Sequence, residues 1–417
     1  MKTIQDVVDN NLCVSCGACC FAEGSTIGTM VESSKKGIYE PKFHDQEMDV
    51  FDVCPGKGYP MVAMGEQIFS DVEHTDLELG RWKKAVVAHT TDEAVLKNAS
   101  SGGVMTSIAK YLLEEKQVDG VVTTKLVYER NGPRPKSFIA TSLEELLEAQ
   151  GSKYAPVPIF EVLEELHSFD GKLLFIGTPC QIAALRLMQE KDPILKEKVP
   201  LTIGNFCGGY RDLQETDKII ERAGFKRELV TSFRYRGGGQ PGSMLIKDTT
   251  GNTKELAYPG YARMTGVIKS LRCRLCVDAT AELADFSCGD AWMPKYLESD
   301  KAWSIIMARS NKAVEILKAM DVSQAITQET VSMEDIKKSQ AGNLISKKVR
   351  QESRMKLYSL LGYVLPQFDG GYYKNKKGFL LELKVHVSHS TFSFLEKIGL
   401  YKKVASLIKR YPKEKKC

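Results

Sequence analysis

The segment KLLFIGTPCQIAALRLMQE, residues 172–190, sets the reading of the whole chain. Its first six residues form a short apolar run of strand type. Thr178 then stands where a helix N-cap is wanted, and Pro179 fits the first helical turn that follows. The same strand-then-helix order recurs. AVVAH (85–89), DGVVTTKLV (119–127), PLTIGNF (200–206) and WSIIMA (303–308) read as strands. In VMTSIAKYLLEE (104–115), Val104, Ile108 and Leu112 share a helical face, with Met105, Ala109 and Leu113 beside it. Ser142 precedes Glu145 by three residues in SLEELLEAQ, a capping-box spacing. MLIKDTTGNTKELAY (244–258) alternates about a turn, as a hairpin does. Alternation of this kind predicts an α/β fold, α+β overall, whose central domain at 79–325 rests on a mixed or largely parallel sheet.

Working outward, residues 1–78 hold five cysteines joined by short polar connections, and read as a small domain ordered by something other than an apolar core. Strand signals stop at about 326. MEDIKKSQ and RMKLYSLLGYVL read as helices, so 326–417 is expected to be a helical extension ending in a basic tail.

From Tyr401 onward seven basic residues face one acid, a net +6, so the rest of the +5 chain sums to −1. A nearly neutral body argues against a nucleic-acid groove. The tail suits peripheral contact with an anionic membrane or an acidic partner, or plain solvation. No apolar stretch has the length of a membrane span, and MKTIQDVVDN lacks the apolar core of a signal peptide, so the expected location is cytoplasmic. In that reducing compartment, 11 cysteines point to metal or redox chemistry rather than disulfides.

Cys13, Cys16 and Cys19 are spaced C-x2-C-x2-C, and Cys54 follows directly before Pro55. A tight loop supplying three thiolates, with a distant Cys-Pro giving the fourth, is the pattern of a 4Fe–4S site. Four-cysteine zinc is the competing reading. Cys20 is an adjacent bystander. Cys180, Cys207, Cys273 and Cys276 make a second count of four: two at expected strand ends, where ligands collect, and two as a C-x2-C pair. Core burial is the alternative for Cys180 and Cys207 taken singly. Cys288 is a possible substitute ligand, and Cys417 belongs to neither set.

Ser100, Ser101, Gly102 and Gly103 lie at the mouth of a helix, where free amides can cradle a pyrophosphate or simply form a turn. Lys153, in GSKY, offers a cation. GGGQPG (237–242) matches a dinucleotide fingerprint literally but lacks the strand–turn–helix context, and reads as a mobile loop.

NASSGGV (98–104), GSKY (151–154), FIGTPCQ (175–181), FCGG (206–209), FRYR (233–236), CRLCVD (273–278) and DFSCGD (285–290) occur in that order. The series resembles the beta subunits of coenzyme F420 hydrogenases and dehydrogenases over roughly residues 5–330, with the N-terminal cysteines similar to a ferredoxin-like module. The plant reductase of 7-hydroxymethyl chlorophyll looks like a distant relative. The resemblance implies FAD beside a 4Fe–4S cluster, with Ser100, Ser101, Gly102, Gly103, Lys153, Tyr154, Thr178, Gln181 and Asp290 around the flavin. It makes Cys180, Cys207, Cys273 and Cys276 the inner cluster ligands, and Cys13, Cys16, Cys19 and Cys54 the outer ones. The expected function is electron transfer between an external carrier (coenzyme F420 or a ferredoxin) and a substrate, through FAD and two 4Fe–4S clusters. An electron-transfer subunit docking on a partner oxidoreductase, and a metal-stabilised protein of a polysaccharide assembly, are the alternatives. No catalytic side chain is assigned; His89 and Tyr154 qualify as proton donors only by type.

Overall fold

The runs rich in β-branched residues form the centre of the molecule. In the computed structural model, residues 1–22, 24–44, 50–261, 269–374 and 378–397 are described. Cys417 and the basic tail from Lys402 lie outside them. The main sheet has eight strands: β1 (Lys84–Thr90), β2 (Gly120–Glu129), β3 (Gly132–Ala140), β4 (Leu173–Gly177), β5 (Leu201–Asn205), β6 (Phe286–Asp290), β7 (Ser304–Ala308) and β8 (Ile326–Thr330). Their order is β3-β2-β4-β5-β6-β7-β1-β8.

β2, β4, β5 and β6 run parallel, and β7 is antiparallel to both β6 and β1. β3 and β8 pair antiparallel at the two edges. The sheet is thus mixed rather than largely parallel. β1 nonetheless points the same way as the parallel quartet, so five strands deliver their carboxyl ends to one rim.

Both faces are covered. On one, helices Val104–Glu114 and Asn311–Val322 bury Val104, Ile108, Leu112, Ile316, Leu317 and Met320 against Val86, Leu174, Ile203 and Ile306. On the other, helix Pro179–Gln189 buries Ile182, Ala183 and Leu185 against Val122 and Phe175. A separate three-stranded antiparallel sheet, Val230–Gly237, Ser243–Asp248 and Thr253–Ala257, holds the expected hairpin.

Two sequence expectations change. Ile4, Val7, Val8 and Leu12 from the N-terminal region are buried in the same core as Leu163, Leu166, Ile182 and Leu283. An apolar core therefore does order this region, by sharing rather than by enclosing. The strand signal also does not stop at 326: ITQET (326–330) forms edge strand β8, four of its five residues polar and only Ile326 buried, as an edge open to solvent permits. The expected helices follow, at Met333–Ser339 and Gln351–Leu360. Among the described residues, no helix is long and apolar enough to cross a membrane.

Candidate functional site

The N-terminal cysteines sit on a loop wound by two left-handed residues, Ser15 (φ 59°) and Gly17 (φ 86°). The Ser15 hydroxyl donates to the Tyr39 carbonyl at 2.9 Å, and the Ser15 amide donates to Cys13 Sγ at 3.4 Å. Two single-turn helices, Phe51–Val53 and Pro55–Lys57, present Cys54. Gly56 permits the approach, since a Cβ there would meet Val7 Cγ1 at 2.6 Å and the Leu12 carbonyl at 2.7 Å. The thiols act on one another: Cys13 on Cys54, Cys16 on both, and Cys19 on Cys20, Cys54 and Cys16. Burial pushes the Cys13 thiol up to about 12, and the Ser15 amide eases it. Cys20 touches Met30 Sδ at 3.5 Å.

The second set is assembled by the sheet. Cys180 opens helix Pro179–Gln189 directly beyond β4, and Cys207 lies two residues past β5, its amide donating to the Ala279 carbonyl at 2.9 Å. Cys273 rides the short helix Leu271–Arg274, with Cys276 just beyond it. All four line one cleft of about 440 Å³ at the carboxyl rim. Burial pushes the Cys180 thiol up to about 12; the Thr178 hydroxyl, 3.3 Å away, eases it, and Cys207, Cys273 and Cys276 add to the rise. The Gly209 amide donates to Cys207 Sγ at 3.3 Å. Cys180 is also an electrostatic neighbour of Cys16, so the two sets adjoin. Among the described residues, no three His, Cys, Asp or Glu side chains close on a point suited to one metal ion.

Ser100, Ser101, Gly103, Lys153, Tyr154, Thr178, Gln181 and Asp290 line the same cleft. Gly102 is not part of that lining. Its amide donates to Ser304 Oγ at 2.9 Å, and a Cβ would strike the Ala88 carbonyl at 2.6 Å, so this glycine seats the turn on the sheet and has no amide free for a phosphate. The Ser101 hydroxyl is likewise held, donating to the Trp303 carbonyl at 2.7 Å.

Gln181 shapes its helix end: its Oε1 accepts from the Thr178 amide and hydroxyl at 2.8 and 2.9 Å. The Lys153 ammonium reaches the Ala149 carbonyl, and burial pulls its pKa down to about 7. Asp290 grips Arg236 with both oxygens, at 2.6 and 2.8 Å, and the same guanidinium reaches the Ser100 carbonyl and lies over Trp292. The glycine loop after FRYR is tied down, with Gly239 donating to the Ala99 carbonyl and Gln240 accepting from the Trp303 amide. His89 is buried with Nδ1 against the Thr90 carbonyl, and is not among the cleft-lining residues.

Sequence reading missed several cleft residues. Arg236 was within reach, inside FRYR. Asn343 and Lys347 carried no signal, because they come from beyond the α/β alternation. Lys347 sits in a π-helical turn, Ile345–Val349, a distortion frequent at functional sites. Its ammonium donates to the Asp278 carbonyl at 2.6 Å. Burial opposes that charge, but the sulfurs of Cys276, Cys207 and Cys273 hold it above the ordinary lysine range. Cys288, the possible substitute ligand, also lines the cleft; it packs among Val86, Ile203 and Ile306, and burial alone raises its thiol.

Comparison with known proteins identifies relatives of this chain. Residues 85–164 match the N-terminal family, and residues 170–335 the C-terminal family, of the coenzyme F420 hydrogenase/dehydrogenase beta subunit. The coenzyme F420 hydrogenase subunit beta of Methanococcus voltae is 29% identical over 273 residues, covering 63% of this chain and 88% of that protein. The coenzyme F420-dependent sulfite reductase of Methanocaldococcus jannaschii is 25% identical over 344 residues, covering 79% of this chain but 49% of that longer protein. A chain of the F420-reducing [NiFe] hydrogenase complex from Methanosarcina barkeri shares the fold, with a TM-score of 0.55 and 23% identity over 70% of this chain and 98% of that one. The chain belongs to the coenzyme F420 hydrogenase/dehydrogenase beta subunit family of oxidoreductases.

Proposed function

We propose that this protein is an F420-linked electron-transfer oxidoreductase that binds FAD in the rim cleft and two 4Fe–4S clusters on its two cysteine sets. The observation that carries the reading is the placement of Cys180, Cys207, Cys273 and Cys276 on the wall of the cleft that Lys153, Tyr154 and Ser101 also line. Cys13, Cys16, Cys19 and Cys54 would hold the outer cluster.

The donor sets fit such groups. Buried thiols receive amide hydrogen bonds from Ser15 and Gly209, and cationic Arg272 and Lys347 stand beside them to balance thiolate charge. The cleft offers an ammonium in need of an anion, at Lys153, and the side chains of Tyr154 and Trp292. When bound, a flavin exchanges electron pairs with a deazaflavin or substrate and single electrons with a cluster.

The residues of the chain position and insulate. Asp290 and Arg236 lock the Ser100 turn onto the cleft wall, and Gln181 holds the Cys180 helix end. The external carrier would be coenzyme F420 or a ferredoxin, and a partner oxidoreductase subunit would dock on the chain. The similar Methanosarcina barkeri chain is part of a hydrogenase complex.

The test is anaerobic purification of the full chain, with iron, sulfide and flavin counted per polypeptide. Reduced F420 is then offered as donor. Iron and sulfide for two cubes, one flavin and flavin bleaching by reduced F420 are expected. A chain holding zinc and no flavin would sink the proposal.

A further inference from the structure

Arg272 is among the largest fully buried side chains, 1% exposed, and among the described residues no carboxylate forms an ion pair with it. It precedes Cys273, yet its guanidinium is spent on the other cysteine set. Nη2 donates to the Pro55 carbonyl at 2.7 Å and Nε to the Gly56 carbonyl at 3.1 Å, the two residues after Cys54. Its outer face lies over the Phe368 ring, 5.1 Å from the centroid. Its electrostatic neighbours include Cys276, Cys180 and Cys273, and its charge is also felt at Cys54. A second side chain spans the same gap: the Tyr210 hydroxyl donates to the Cys13 carbonyl at 3.3 Å, and the charges of Cys273 and Cys180 also act on it.

A buried guanidinium without a carboxylate is expensive unless other negative charge stands nearby. Two carbonyl bonds supply direction but not a countercharge. Sulfur on both sides would supply the countercharge once the cysteines are held as thiolates.

We propose that Arg272 is the joint between the two cysteine sets. It fixes the Cys54 loop against the Cys273–Cys276 turn, and it places one permanent positive charge where both clusters feel it. This rests on the cluster reading given above. Adding an electron to either cluster adds negative charge beside a fixed cation, so Arg272 raises both reduction potentials together. It is a positioning residue, not a catalytic one.

The experiment is a reductive titration of the anaerobically purified full chain, followed by low-temperature electron spin resonance, on wild type, Arg272→Met and Arg272→Lys. In Arg272→Met, both midpoints fall by at least a decade in the one-electron equilibrium, 59 mV. In Arg272→Lys the charge stays and the midpoints shift by less than half as much. The shorter donor set cannot hold both carbonyls, so a chelator strips iron from the N-terminal set at least tenfold faster than in wild type. If Arg272→Met holds its iron and either midpoint stays put, the proposal is overturned. If Arg272→Met holds no iron, Arg272→Lys decides, and an unchanged stripping rate overturns it. Wild type without iron and sulfide would instead overturn the cluster assignment itself.

Discussion

Cys13, Cys16 and Cys19 fall within seven residues of one another, whereas Cys180, Cys207, Cys273 and Cys276 are drawn from 97 residues of chain. The first group is brought together by the winding of one loop at Ser15 and Gly17; the second needs β4 and β5 paired in register before two of its members can face the others. The matched family segments, 85–164 and 170–335, contain the second group and not the first. Local spacing therefore carries one site and topology the other. Yet the two regions share a core, and Cys16 is an electrostatic neighbour of Cys180, so their independence is less than their sequences imply.

The largest expected effect divides the two sets directly. Cys273→Ser removes the iron of the inner set and lowers F420-linked turnover by at least about 100-fold, beyond what loss of a supporting residue costs. Cys16→Ser is expected to remove roughly half the iron as well, but to leave flavin bound, because none of Cys13, Cys16, Cys19 and Cys54 lines the cleft. Iron, sulfide and flavin counts on both variants read the division. Flavin loss in Cys16→Ser with iron intact would reverse the assignment.

The shared core gives the next test. Leu12 is fully buried among residues of both regions. Leu12→Ala is expected to cost about 2–5 kcal/mol. If the core is common, calorimetry shows one unfolding transition shifted as a whole. A separate early transition that moves alone would make residues 1–78 an autonomous unit after all.

Much of this architecture was legible. The strands at β1, β2, β4, β5 and β7 announce themselves by apolar β-branched runs, and the helix at Pro179 by its cap. β3 was not, because Pro133 and Pro135 argue against a strand; it is tolerated because β3 lies at the sheet edge, where a missing donor costs no ladder bond. Arg272 and Lys347 were silent for a different reason. A basic residue reads as solvated until the fold shows it buried, and no local pattern says which carbonyl or sulfur it will meet. The cysteines could be counted in sequence; the charges that serve them could not.

Lys153 tests the non-sulfur wall of the cleft. Burial lowers its folded pKa from 10.5 to about 7. Without a ligand the unfolded chain binds the extra proton between those values, so this group makes stability rise with pH from 7 to 10.5. A bound phosphate restores the charge. Affinity for flavin dinucleotide is then flat below pH 7 and falls up to tenfold per pH unit above it, with proton uptake on binding near pH 8. Titration calorimetry in two buffers of different ionisation enthalpy measures that uptake. Lys153→Gln abolishes it, and uptake that survives the substitution would move the anion site elsewhere.

Cys288 asks whether proximity in sequence to a motif is enough to join a set. It lies in DFSCGD on β6, is 3% exposed, and edges the cleft near Asp290. Its side chain packs on the helix Val104–Glu114 side of the sheet, whereas Cys180 packs against the core on the opposite side. The charges of the four inner cysteines act on one another but are not among the causes of its shift, which is burial alone. Cys288→Ala therefore removes one buried sulfur and costs about 1 kcal/mol, with iron per chain and both midpoints unchanged. A fall in inner-set iron would show that the sheet lets a fifth sulfur reach across, and the contrast between loop-built and sheet-built sites would lose its sharpness.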